Sequence, residues 1–324
     1  MEAARRERLA RQPGRVPASA IVGDVGAPAL QAVRAAGWRV TGVLDPDPFS
    51  GTLADRVGYL DADELLVDGR VDVAVVAGDD GGAASLLPAL RGAGLRVLLP
   101  SPAPLDVALL RRALDVDGPA TAVGLLERWA PWARTVRAAL PLAGTPVQVT
   151  VRGWPPGPQA AAEMADLVRL WCGEVVAVAA PPAPLPAAVL PDGVPVAWSL
   201  LTACGATVLV AGLVAGADGG PLVRLSTASA RLEAGPAGVR WVGGAELPLQ
   251  QLPPSLPVPP EGVPRGLLAT VVLLGRALGD TDVPPPGGDG TRLPPAGLGD
   301  LLVAARVVQA LRESARAEQP IAVA

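Results

Sequence analysis

The feature that most limits how this chain can fold is the alternation, through its first third, of short wholly apolar runs with Ala/Leu-rich stretches. Ala20-Ile21-Val22 reads as a strand. Pro28 suits the first turn of a helix that stops at Gly37, because a proline there loses no intrahelical hydrogen bond. Trp38–Leu44 reads as the second strand. Val71–Ala77 and Leu95–Leu99 are two more, separated by a helix ending around Gly92-Ala93-Gly94, and Asp106–Leu114 is a further helix. The strands are continuous apolar runs rather than alternating ones, which means burial on both faces. Strands buried in this way, with helices between them, predict a parallel α/β sheet.

The texture changes after Val123. A helix over Trp129–Leu140 precedes a strand at Val147–Val151 and a helix at Gln159–Trp171. The segments Val175–Ala179, Val196–Leu201, Thr207–Leu213, Leu222–Thr227, Arg231–Ala234 and Val239–Val242 read as strands of an antiparallel or mixed sheet, and a helix runs from Leu298 to Ala317. Proline-rich stretches at 181–195, 252–264 and 284–296 read as surface connections, since proline cannot donate to a central ladder. Gly193–Ala217 carries no charge and is long enough to cross a bilayer. Its two β-rich halves meeting at Cys204-Gly205 favour a buried hairpin instead, so no membrane segment is expected. The expected organisation is a flexible leader over 1–15, with five arginines and no apolar stretch, one α/β domain over 16–122 and a second over 123–324.

Composition narrows the chemistry. The chain has no histidine, and all 27 of its basic residues are arginine. Histidine is the side chain that titrates near neutrality, and lysine is the usual cationic proton donor, whereas arginine holds its proton too tightly to pass it on. Proton transfer here must use a carboxylate, Tyr59, a thiol, a hydroxyl or water. A net charge of −4 gives no electrostatic case for nucleic acid. Two cysteines, Cys172 and Cys204, make neither a disulfide framework nor, without histidine, a four-ligand zinc site, so no metal and a cytoplasmic location are expected.

Strand, glycine turn, helix, strand and acid is the order of a dinucleotide-binding unit. Here it reads Ile21-Val-Gly23-Asp-Val-Gly26-Ala-Pro28, with Asp45 twenty-two positions beyond Gly23, where a carboxylate can bond a ribose hydroxyl. Gly23, Gly26 and Asp45 are therefore the candidate cofactor residues. Val25 stands where the backbone must approach a diphosphate, and Asp24, Asp79 and Asp80 add negative charge that disfavours one. The plainer alternative makes these acids solvated turn and helix-start residues.

The order of segments over residues 18–322 resembles the glucose–fructose oxidoreductase, inositol dehydrogenase and MocA family. It rests on Ala20-Ile-Val-Gly, Gly42-Val-Leu-Asp45-Pro-Asp, Asp63-Glu-Leu-Leu, Val71-Asp-Val-Ala-Val-Val-Ala, Val97-Leu-Leu-Pro-Ser-Pro102 and Val123-Gly-Leu-Leu-Glu-Arg-Trp-Ala-Pro131. Asp166 to Gly173-Glu174, Trp198-Ser-Leu-Leu and Glu313-Ser-Ala-Arg complete the set. The resemblance implies a Rossmann-type doubly wound parallel sheet followed by an α/β domain with an open, mostly antiparallel sheet that makes dimers or tetramers. It also implies NAD or NADP as cofactor. The departures fall on the chemistry: Ser101, within Pro100-Ser101-Pro102, stands at the family's lysine position. Aligning on Asp166 puts Gln159 and Glu163 where the family's helix carries Asp and His, and Gly81–Ala84 replaces a further His.

Glu163 and Asp166, three apart on one helix, are the candidate catalytic carboxylates together with Ser101; the plainer alternative is a solvated Glu163 and an Asp166 paired with Arg169. Arg128, Arg152 and Trp154 are candidates for a substrate pocket; the plainer alternatives are a helix-surface charge for Arg128, a strand-end ion pair for Arg152 and core or interface for Trp154. Trp129 and Trp132 are core or pocket, and Cys172 is a small buried hydrophobe. Two functions of different kinds follow. One is a family fold impaired in NAD(P) redox chemistry that acts as a non-redox, partner or regulatory subunit, pairing as a homo-oligomer or with an active homologue through its second sheet. The other is an active NAD(P)-dependent oxidoreductase on a small sugar-like or secondary-metabolite substrate, with Glu163 or water as proton donor. A lyase or cyclase using the same cleft is a third.

Overall fold

The computed structural model of the chain describes residues 16–44, 57–59, 61–78, 81–180, 193–212, 221–243, 246–248, 259–279 and 296–323. The leader, Asp45, Asp79, Asp80 and most of the three proline-rich stretches lie outside the described residues.

Strand β1 (Ala18–Val22) is buried at every position, and β4 (Val73–Val76) likewise, as a strand covered on both faces must be. They sit at the centre of a six-stranded sheet with β2 (Arg39–Leu44), β3 (Val57–Gly58), β5 (Arg96–Leu99) and β6 (Thr121–Val123), in the order β3-β2-β1-β4-β5-β6. Every pairing is parallel. Helices fill the crossovers: α1 (Gly26–Ala35), α2 (Ala62–Val67), α3 (Gly81–Ser85), α4 (Leu87–Gly92) and α5 (Val107–Asp115). Asp61 and Asp106 start α2 and α5 by accepting the Glu64 and Leu109 amides at 2.9 and 3.0 Å. Strand order reverses beside β1, so the carboxyl ends of β1 and β4 form the crevice where open α/β sheets bind ligands.

One helix escapes the sequence reading. Residues 265–279 form α8 (Arg265–Gly279), whose Leu267, Leu268, Val271 and Leu274 share a core with Ile21, Ala29, Val33, Val73, Val75 and Leu98. Two compact units result: Met1–Leu126 with Pro253–Leu302, and Glu127–Leu252 with Val303–Ala324. The chain thus passes between the units at 126/127, 252/253 and 302/303, and the apolar stripe of α8 is buried with the first sheet. Ala296 also joins that unit, accepting the Val123 amide at 2.8 Å.

The second unit is built on a nine-stranded sheet in the order β14-β13-β12-β11-β7-β10-β9-β8-β15. Its strands are β7 (Pro146–Trp154), β8 (Val175–Ala179), β9 (Ala197–Thr202), β10 (Thr207–Gly212), β11 (Leu222–Thr227), β12 (Arg231–Gly235), β13 (Gly238–Trp241), β14 (Glu246–Leu247) and β15 (Ile321–Ala322). β7 and β10 run parallel, and the other pairings are antiparallel. Within the charge-free run, residues 197–212 form the β9–β10 hairpin, turning at Gly205 with φ +86°. Helices α6 (Pro131–Ala143), α7 (Pro158–Cys172) and most of α9 (Leu298–Ala317) belong to this unit. Alternate residues along β7, β10 and β11 are buried and exposed, so one face is packed and the other open. Among the described residues no helix is long and apolar enough to cross a membrane.

Candidate functional site

In the first unit the candidate cofactor residues surround the turn after β1. Gly23 has φ +74°, which a side chain would resist, and donates its amide to Leu44 O at 2.8 Å. Asp24 is exposed, Val25 is the N-cap of α1, and Gly26 is the helix's first residue, with no side chain capping the amides that follow. Ser101 lies half-buried in the loop after β5. Two glycines hold that loop close. A Cβ on Gly124 would stand 2.1 Å from Pro100 O, and one on Gly78 would stand 2.3 Å from Ala103 O. The position of Ser101 is thus fixed by backbone packing, and the side chain presented there is a short hydroxyl.

Tyr59 carries no accessible proton. It is buried over Gly42 and donates to Asp68 Oδ2 at 2.7 Å. Burial, followed by the hydrogen bond to Asp68, pushes its pKa well above the usual tyrosine value.

In the second unit α7 carries Gln159, Glu163 and Asp166, and a single 3₁₀ turn (Glu127–Trp129) lies against it. Spacing places Glu163 and Asp166 on one side of α7, and both are buried. Glu163 Oε2 accepts the Glu127 amide at 3.1 Å. Asp166 receives Arg128 in a two-pronged contact: Nε to Oδ2 at 2.9 Å and Nη2 to Oδ1. Side-chain exposure is 2% for Arg128 and 0% for Asp166, so the pair is sealed from solvent. Arg169 pairs instead with Glu174 at 3.6 Å.

Neither sequence alternative for Arg128 and Asp166 describes this arrangement. Arg128 is not on the helix surface, and Asp166 is not the partner of Arg169. They hold each other, and losing one member would strand the other in the interior at a cost of roughly 3–5 kcal/mol.

Arg152 is not brought to Arg128. In a regular strand Arg152 and Trp154 would share a face, but Gly153 adopts φ +71° where the pairing with β10 slips a residue, and the two side chains part. Arg152 is exposed on the open face, whereas Trp154 is buried with its indole N–H on Ala160 O at 2.7 Å. Trp154, Pro156, Ala161, Val196, Trp198 and Val210 line a shallow apolar cleft that holds no charged group. Trp132 and Trp171 meet edge to face with ring centres 5.8 Å apart, a core contact.

Glu127 is the polar residue that sequence reasoning quoted only inside a longer motif. Burial pushes its carboxyl above the usual carboxylate range. Nothing in the residue string marks this, because α7, one of the two helices packed on the 3₁₀ turn, lies far along the chain from Glu127.

No family model matches the sequence, and no curated protein matches it. Solved structures match across nearly the whole chain. A putative myo-inositol dehydrogenase from Sinorhizobium meliloti 1021 aligns with TM-score 0.66 and 18% identity over 95% of this chain and 100% of its own. The WlbA dehydrogenase from Bordetella pertussis, solved in complex with NADH and UDP-GlcNAcA, gives 0.69 and 14% over 97% and 99%. An aldose-aldose oxidoreductase from Caulobacter crescentus, complexed with glycerol, gives 0.71 and 19% over 95% and 100%. This chain has the fold of the glucose–fructose oxidoreductase, inositol dehydrogenase and MocA type.

That fold implies a nicotinamide dinucleotide, and the turn after β1 fits one only in its backbone. The positive φ at Gly23 and the uncapped start of α1 suit a diphosphate. The side chains do not: an exposed Asp24 carboxylate stands at the turn, and the branched Val25 occupies the N-cap, where the phosphate must approach.

Proposed function

We propose that this chain is a member of that oxidoreductase fold impaired in NAD(P)-dependent redox chemistry, acting as a non-redox partner or regulatory subunit. The observation that carries the reading is the state of the two candidate catalytic carboxylates: Asp166 is closed into a solvent-free pair with Arg128, and Glu163 is buried and accepts the Glu127 amide. Hydride transfer to or from an alcohol needs a proton carrier that reaches substrate. The composition offers no His or Lys for that task, Ser101 stands in place of the ammonium, and Asp24 opposes the diphosphate. The open face of the second sheet supports pairing with a second copy or an active homologue, since Leu201, Leu209 and Leu222 are exposed there. Thiols rather than a disulfide framework support a cytoplasmic location.

A second reading draws on Glu127. A carboxyl with a raised pKa, on a residue whose amide binds buried Glu163, is the kind of group that serves as general acid, and would make the chain an active oxidoreductase on a small sugar-like substrate with a carboxyl donor.

The two separate in one assay. NADH or NADPH consumption is followed with a panel of polyols, aldoses and nucleotide sugars, using the parent chain and the Glu127→Gln and Glu163→Gln variants. The first reading expects no turnover above buffer in any of the three. Turnover by the parent that falls at least about a hundredfold in either variant, the loss typical of a general acid, would replace it with the second.

A further inference from the structure

The chain keeps only two cysteines in 324 residues, and the fold sets them side by side. Cys172 is the last residue of α7, and Cys204 lies in the β9–β10 turn, 32 positions later in sequence. The Cys204 thiol donates to the backbone carbonyl of Cys172 at 3.0 Å. The chain segments on either side are aligned as well: the Ala203 amide bonds Glu174 O at 2.8 Å, and Val175 pairs with Thr202 in the β8–β9 ladder. The thiol–carbonyl contact holds the Cys172 backbone close to Cys204, roughly within the span a disulfide bridges. We infer that Cys172 and Cys204 form a reversible intrachain disulfide that ties the end of the carboxylate-bearing helix to the β9–β10 turn.

The two thiols have separate parts in its formation. Cys204 is exposed, with its sulfur 3.2 Å from the Thr202 hydroxyl, so it meets an incoming oxidant. Cys172 is buried and cannot. With a small disulfide such as oxidised glutathione, the Cys204 thiolate attacks one sulfur and expels one glutathione thiolate, leaving a mixed disulfide. The Cys172 sulfur then attacks the Cys204 sulfur and expels the second glutathione, its own proton passing to water. Two cysteine thiols are oxidised, one glutathione disulfide is reduced to two thiols, and the two electrons balance.

Burial pushes the Cys172 thiol up to about 12, so its thiolate is scarce at neutral pH and the second step is the slow one. Closure should accelerate about tenfold per pH unit between pH 7 and 9, because thiolate concentration rises by that factor far below the pKa.

The test is intact-mass analysis of the full reduced chain incubated with oxidised glutathione, followed by peptide mapping without reduction. The expected result is a transient glutathione adduct on Cys204, then a product lighter than the starting chain by two hydrogens, with the peptides holding Cys172 and Cys204 joined. Dithiothreitol reverses it, and the oxidised form unfolds several degrees higher than the reduced form. Cys204→Ser, at an exposed site, should prevent adduct and bridge together; Cys172→Ala should keep the adduct and lose only the bridge. A stable adduct on Cys204 that never closes in the parent chain, or disulfides that form only between chains, would overturn the inference.

Discussion

Two clusters of charge in the second unit are built from the same residue types and behave in opposite ways. On the open face of the sheet, Glu233 of β12 accepts Arg224 Nε at 2.8 Å and Arg240 Nε at 3.0 Å, reaching across to the strands on either side. Both arginines are more than half exposed, and Arg240, then Arg224, pull the Glu233 carboxyl below its usual pKa. Around the 3₁₀ turn, the Arg128–Asp166 pair is sealed, and Glu127 is pushed up by burial. Solvent screens the first cluster and leaves it nearly free to rearrange; the second is fixed by its surroundings. The contrast separates charge that decorates a sheet from charge that the fold encloses, and only the enclosed set lies against α7, which carries Glu163 and Asp166.

Removing one partner of the enclosed pair is the harshest way to break that contrast. Asp166→Asn leaves the Arg128 guanidinium buried beside a neutral amide, and a loss of roughly 3–5 kcal/mol in urea unfolding is expected. The double change Asp166→Leu with Arg128→Met should recover much of it, since a buried ion pair is often replaceable by apolar groups of similar volume. Next in size is Gly124→Ala. Its new Cβ meets the Pro100 carbonyl at 2.1 Å and forces the loop carrying Ser101 to move, at roughly 1–3 kcal/mol by the same measurement.

Those two effects also mark what the sequence could and could not disclose. The parallel strands were legible because burial on both faces writes itself as unbroken apolar runs, and the β9–β10 hairpin because a Cys-Gly pair interrupts one. Helix α8 was missed although Leu267, Leu268, Val271 and Leu274 have helical spacing: its sequence is apolar nearly all round and sits between two proline-rich stretches, so it did not declare which sheet it covers. Asp166 and Glu163 stood out through the family resemblance together with their spacing on one helix, yet the partner of Asp166 is 38 positions away in sequence, and nothing local distinguishes Arg128 from Arg169. The separation of Arg152 from Trp154 depends on the positive φ of Gly153, a local irregularity that strand alternation does not anticipate.

A smaller, pH-dependent difference sharpens the comparison further. The folded state favours protonated Glu127, so its contribution to stability is fully present below the usual carboxylate pKa and is lost as pH rises through the raised value. Glu127→Gln, which keeps the shape without the charge, should therefore unfold at a higher temperature than the parent at pH 7, with the difference shrinking toward pH 4. Glu233 has the opposite sign: its contribution is present at neutral pH and fades as pH falls. Because both its arginine partners are more than half exposed, Glu233→Gln is expected to leave the unfolding midpoint within error at 0.5 M salt, the smallest effect of the set.

The most direct measurement is calorimetric titration of the chain with NADH and with NADPH. A turn that carries Asp24 and Val25 where a diphosphate must sit should give no heat of binding up to millimolar cofactor. Saturable binding of either nucleotide in the micromolar range, weakened by Gly23→Ala, would contradict the claim that this scaffold has left dinucleotide chemistry behind.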